Sequence, residues 1–177
     1  IAAVLRAARS AREYAAGEGG KSPIDHLFAS LTANRFLEEK ITGSIVGEDE
    51  IADSASSELA TIRRHIRSTA SKVRDILNKL ISSNQSRYLQ ESIITMRNDR
   101  YVVPVKSEHK NDVPGLVHDV SSSGSTFFIE PMGVVKANNE LRELAAREKK
   151  EIERILAELS AQCAAHGLAE GAGDDVD

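Results

Sequence analysis

The residues that invite a chemical reading lie between 97 and 126. His118-Asp119 followed by Ser121-Ser-Ser123 supplies the base, acid and hydroxyl of a hydrolytic constellation. Neighbouring side chains on a strand point to opposite faces, so we read His118 and Asp119 as strand residues and the serines as a turn. The run Ser121-Ser-Ser-Gly-Ser-Thr126 could also aim backbone N–H groups at a phosphate. A lone glycine among serines is the composition of an ordinary hairpin loop, and nucleic-acid phosphate suits it better than a nucleotide does. Cations form the third group. Arg97 and Arg100 flank Asn98-Asp99, while Lys106 and Lys110 border the next loop. These four bases against Asp99 and Glu108 leave a local surplus of two positive charges in a chain of net charge −4. Such side chains grip a phosphate backbone without reading bases. A hairpin tip is polar for solvation alone, so composition by itself accommodates either role.

The remaining chemistry is defined by what is missing. No GxxxxGK[ST] loop, HExxH, paired-cysteine pattern or GxSxG occurs, so this stretch cannot hydrolyse a nucleotide or hold zinc by those routes. Histidines 26, 65, 109, 118 and 166 are scattered. We expect no catalytic residue, cofactor or metal in this chain. Its acidic balance argues against a uniformly basic nucleic-acid binder, although net charge conceals local patches. Cys163 is the single cysteine and cannot form an internal disulfide, which fits a reducing cytoplasm. No apolar run approaches the ~18 residues of a membrane span. Ile1 in place of Met is expected of a piece of a longer protein.

Positioning falls to helices and a small sheet. Charged residues at 28% and aromatics at 4% suit helices paired along narrow apolar seams. Residues 1–16 form a helix stopped by Gly17, Gly19 and Gly20. Ser22-Pro23 caps a short helix through Leu27, Phe28 and Leu31 towards Phe36 and Leu37, and 42–53 is a connector. Leu59, Ile62, Ile66, Val73, Ile76 and Leu80, with Thr69 in the gap, trace a heptad seam and predict a helix over 56–83. Ile93–Arg97 and Arg100–Lys106 are β-branched runs about an Asn98-Asp99 hairpin turn. Pro104 cannot donate to a ladder, so a free edge or bulge lies near it. Two further strands are expected at 115–120 and 126–130. A second long helix, 134–165, buries Leu141, Leu144, Ile152, Ile155 and Leu159 and presents Arg147–Glu153 and Arg154 as a solvated face. The tail from Gly171 is expected to fray.

Several runs have a familiar form. Ile94-Thr-Met-Arg-Asn-Asp-Arg-Tyr-Val-Val-Pro-Val-Lys106, then Gly115-Leu-Val-His-Asp-Val-Ser-Ser-Ser-Gly-Ser-Thr-Phe-Phe-Ile-Glu-Pro131, resemble the MutS-two family, a bacterial MutS-like lineage with an Smr nuclease tail. Asp53–Arg63, Val135–Leu144 and Glu148–Leu156 fit as well, so the resemblance covers about 50–160. From His166 the Gly-rich, acidic stretch departs from the family's continuing coil. The resemblance implies a core, lever and clamp region. It implies a homodimeric parent ATPase, using ATP and Mg, that binds branched or structured DNA, suppresses recombination and in some bacteria acts on collided ribosomes. ATPase and nuclease would lie outside this stretch.

The expected fold is α+β and mainly α: small N-terminal helices, then two long antiparallel lever helices carrying a small antiparallel β clamp at their tip. The segments would be 1–52 (core), 53–92 (ascending lever), 93–132 (clamp), 133–168 (descending lever) and 169–177 (tail). The clamp would touch nucleic-acid backbone through Arg97, Arg100, Lys106 and Lys110. The alternative is a protein- or ribosome-interaction module without DNA contact, which exposed apolar residues at Val102, Val103 and Phe127 would favour.

Overall fold

A computed structural model describes residues 1–17, 34–47 and 50–171. Among them are helices α1 (Ala2–Gly17), α2 (Arg35–Ser44), α3 (Ser57–Ile81) and α4 (Met132–Gly171). Strands β1 (Thr95–Arg97), β2 (Arg100–Lys106), β3 (Gly115–Val120) and β4 (Thr126–Pro131) lie between α3 and α4 in the chain. The architecture is α+β and mainly helical, as expected. The proposed cap at Ser22-Pro23, the helix through Leu27, Phe28 and Leu31, and the tail beyond Gly171 lie outside the described residues.

The chain divides into two compact units, Ile1–Ala60 with Lys150–Asp177, and Thr61–Lys149. In the first, Leu5, Leu37, Ile41, Ile51, Leu59, Ile155 and Leu159 form the core. α2 starts at Arg35 because the Asn34 side chain accepts from Leu37 N at 2.9 Å, satisfying an otherwise orphaned amide. It runs to Ser44, so the expected connector begins later than Thr42, and Ile45 then pairs with Ile51. Ser56 has two tasks: its Oγ accepts from Leu59 N at 3.0 Å and donates to Glu151 at 2.8 Å. Glu151 is thereby buried and takes Arg154 at 2.7 Å. The 147–154 stretch is therefore not a purely solvated face. Hydrogen bonds from Arg154 and Ser56 hold the Glu151 carboxyl below its usual range.

The second unit is built on an antiparallel sheet of order β1-β2-β4-β3. The first hairpin turns at Asn98 (φ 51°) and Asp99 (φ 59°), left-handed positions that match the strand twist. Pro104 is opposite Phe128 of β4. Its carbonyl accepts from Gln90 N at 2.9 Å on the side away from β4, where β1 has already ended and Leu89 pairs with Val105. The missing N–H thus faces a short flanking segment, so the free edge or bulge expected from sequence is replaced by Leu89 and Gln90, which occupy that side of β2. Val73 and Leu77 of α3 pack with Leu89, Val103, Val105, Val113, Ile129 and Val134. Complete burial of each such aliphatic side chain contributes about 1.5–3 kcal/mol.

Here the heptad expectation needs correction. Leu77 is fully buried whereas Ile76 is 39% exposed. After Val73 the next step is four residues rather than three, because this end of α3 packs on the sheet and its core face follows the 3.6-residue period. Thr69 does fill the seam gap; it is buried, with its Oγ1 3.4 Å from Glu140. Arg63 meets Glu148 at 2.7 Å. Rising numbers on α3 therefore meet falling numbers on α4, and these stretches run antiparallel.

Candidate nucleic-acid interface

The four basic residues singled out in the sequence separate into two groups. Arg97 and Arg100 are paired across the first hairpin. Lys106 closes the other end of β2, roughly 20 Å along the strand from Arg100 at 3.3 Å per residue.

Arg97 is held in place by several partners. Its guanidinium lies 4.0 Å from the centroid of Phe128, its Nη1 donates to Met96 O at 2.7 Å, and its Nε is 3.2 Å from Asp119. About a third of the side chain remains exposed. Arg100 is different, being only 12% exposed, with its Nη1 3.0 Å from Oε1 of Glu130. Lys106 Nζ donates to Arg87 O at 3.2 Å, and Lys110 Nζ lies 5.4 Å from the Phe127 centroid. Arg87, Lys106 and Lys110 have no carboxylate partner among the described residues. Arg87 was not anticipated. Nineteen residues separate it from Lys106, and only the Leu89–Val105 pairing brings them together.

Glu130 was also missed, and it organises the unit. It is fully buried at the junction of β4 and α4. Arg100, Asn138 (2.9 Å) and His118 Nε2 all address its carboxylate. Burial alone pushes the Glu130 carboxyl up, but hydrogen bonds from Asn138, His118 and Arg100, with the Arg100 charge, outweigh it and hold it below the usual carboxylate range. Asn138 completes the junction. Its Oδ1 accepts from Tyr101 N at 3.3 Å and its Nδ2 donates to Tyr101 O at 3.2 Å. Extending the β2–β4 register would put Pro131 opposite Tyr101, and proline has no N–H to give. The Asn138 amide supplies the missing ladder bonds. Gly115 pairs with Pro131, and a Cβ there would lie 2.2 Å from Glu130 O. That position admits only glycine.

The hydrolytic arrangement is not formed. His118 sits at an irregularity between Val117 and Asp119 and engages Glu130. Asp119 accepts from Val120 N at 2.8 Å and pairs with Arg97. The serines serve their own loop: Ser121 Oγ accepts from Thr126 N, Ser123 Oγ meets Ser125 Oγ, and Gly124 adopts φ +71°. Gly124 N donates to Ser121 O, which leaves an ordinary hairpin turn. No group of three His, Cys, Asp or Glu residues suited to a metal occurs among the described residues. No helix among them is long and apolar enough to cross a membrane.

No family model matches the chain. Individual relatives do. A protein of Ruminiclostridium cellulolyticum named Endonuclease MutS2 is 52% identical over 164 residues, which is 90% of this chain and 21% of that protein. Its namesake from Acetivibrio thermocellus is 49% identical over 164 residues, again 90% of this chain and 21% of that protein. One from Clostridium botulinum is 53% identical over 165 residues, 92% of this chain and 21% of that protein. The chain therefore belongs to the MutS2 family, as a segment spanning about a fifth of the length of the relatives it matches.

Proposed function

We propose that the chain is the lever-and-clamp part of a MutS-like protein that grips branched or structured DNA through phosphate contacts. Arg97, Lys106 and Lys110 are the primary contacts, and Arg100 contributes least because Glu130 engages it. α3 and α4 carry motion between this clamp and an ATPase held elsewhere in a homodimeric parent, which also bears the endonuclease. ATP and Mg belong to that parent: the chain lacks a phosphate-binding loop, and the enclosed carboxylate Glu130 and the partly exposed Glu148 are taken up by Arg100 and Arg63. The carrying observation is the gathering of cations at one end of β2 without carboxylate partners in an acidic chain.

Three or four neutralised phosphates imply a log–log salt slope near −3, about a 40- to 150-fold loss of affinity between 50 and 200 mM salt. Titration of the intact protein with a four-way junction across that range tests this. A flat salt response, or unchanged affinity in the combined variant Arg97→Glu with Lys106→Glu and Lys110→Glu, refutes the assignment.

A second reading, a protein- or ribosome-interaction module, has one observation in its favour. Val102 and Val103 are buried and Phe127 is half-buried, yet Leu116, Val117 and Val120 on the edge strand β3 are each 41–50% exposed. Loss of ribosome co-sedimentation in Val117→Lys, with DNA affinity intact, would favour that reading.

A further inference from the structure

The short 3-10 turn Asn84–Tyr88 brings Arg87 and Tyr88 to the end of β2, tied there by the Leu89–Val105 pairing and by Gln90 N donating to Pro104 O. The Arg87 guanidinium lies over the Tyr88 ring, 4.8 Å from its centroid, and its Nη2 donates to the Tyr88 hydroxyl at 2.8 Å. The Tyr88 and His109 ring centroids are 5.0 Å apart with 43° between planes. Guanidinium, phenol and imidazole thus follow one another, with Arg87 exposed and both rings half-buried. Lys106 is bonded to the Arg87 carbonyl, and Lys110 stands over Phe127. Two carboxylates share the loop: Asp112 faces His109 Nδ1 at 2.8 Å, and Glu108 takes Ser107 Oγ at 3.4 Å. Neither reaches the three cations.

Cations alone would serve a duplex, whose bases keep their faces stacked inward. Planar groups interleaved with cations match an unpaired nucleotide, which offers a free π-face together with its phosphates. Arginine is suited to this, because its planar guanidinium stacks as well as carrying charge.

We propose that Arg87, Tyr88 and His109, with Lys106 and Lys110, form a seat for an unpaired nucleotide in the single-stranded portion of a branched nucleic acid. The base extends the stack on the exposed Arg87 guanidinium, and the adjoining phosphates meet Lys106 and Lys110. This rests on the phosphate-contact reading above and narrows it to unpaired strand.

The test is an anisotropy titration of the intact protein at fixed salt. Probes are oligodeoxyuridine and oligouridine of about 16 nucleotides, and a duplex of the same length. Arg87→Lys keeps the charge at an exposed position and removes the planar face; Tyr88→Leu keeps apolar packing and removes the ring. Each is expected to weaken single-strand binding about tenfold or more while changing duplex affinity less than about twofold. Tighter binding of one single strand over the other supports the seat and assigns the sugar. Unchanged single-strand binding in Arg87→Lys overturns the seat. So does an equal loss on all probes, which leaves the phosphate reading standing. Failure of every probe to bind the unaltered protein overturns both.

Discussion

Replacing Glu130 by alanine should expose how much of the β-bearing unit depends on one buried carboxylate. Arg100, Asn138 and His118 all address it, and Arg100 is 12% exposed while Glu130 and Asn138 are fully enclosed. Deleting the acceptor strands a guanidinium charge with little access to water and leaves the Asn138 Nδ2 bonded only to the Tyr101 carbonyl. Breaking a buried ion pair from one side costs about 3–5 kcal/mol. At about 2–4 °C per kcal/mol for a chain of this length, Tm should fall roughly 6–20 °C. Glu130→Gln keeps the shape and one acceptor oxygen, so its loss should be smaller. The decisive variant is Arg100→Met combined with Glu130→Leu. It removes both charges and refills the space, and it should melt above Glu130→Ala. Thermal melts by far-ultraviolet circular dichroism, with urea midpoints alongside, measure each. A Tm change below about 2 °C in Glu130→Ala, or a double variant as unstable as the two single losses added, would refute the reasoning.

Other outcomes follow from the same contacts. Hydrogen bonds and charge from Arg9 and Arg6 outweigh burial and hold Glu38 below the usual carboxylate range, as the donors around Glu130 do for it. A carboxylate with a depressed folded pKa contributes stability that is complete above its unfolded value of about 4.3 and is lost as pH falls through the folded value. Urea midpoints should therefore be level from neutrality to about pH 5 and fall below it, with a shallower acid limb in Glu130→Gln. Gly115→Ala should destabilise by about 1–3 kcal/mol, since its Cβ meets strand backbone. Gly43→Ala, with nothing within 4 Å, should stabilise α2 by up to about 1 kcal/mol, and denaturant titration separates the two signs. Leu77→Ala should cost about 2–5 kcal/mol and Ile76→Ala under about 1. Equal losses would restore the strict heptad.

Legibility varied with the range of the interaction involved. The bounds of β2 and β3 and the positive φ values at Asn98 and Asp99 were readable because alternation and turn chemistry act over a few residues. So were both ends of α3 and the start of α4, within two residues, whereas α4 runs on to Gly171, six residues past its expected end. The seam failed at Ile76 because the helix's partner changes there, from a helix to the sheet. In the candidate interface, charge marked Arg97, Lys106 and Lys110 but gave no reason to demote Arg100. That demotion needs the buried Glu130, thirty residues away and, in sequence, simply the acid before a proline.

The sequence by itself determined the order of elements, the hairpin, the lack of nucleotide- and metal-binding motifs, and through long runs of shared residues the family. Each is either a local preference of the backbone or a pattern carried whole in the chain. Tertiary structure decided which charges are available. It buried Glu130 among three donors, set Asn138 where Pro131 cannot donate, and joined Arg87 to Lys106 through a single strand pairing. The physical reason is that a side chain's charge becomes useful or committed according to its neighbours in space. Those neighbours are fixed by strand register and by the place where β4 gives way to α4.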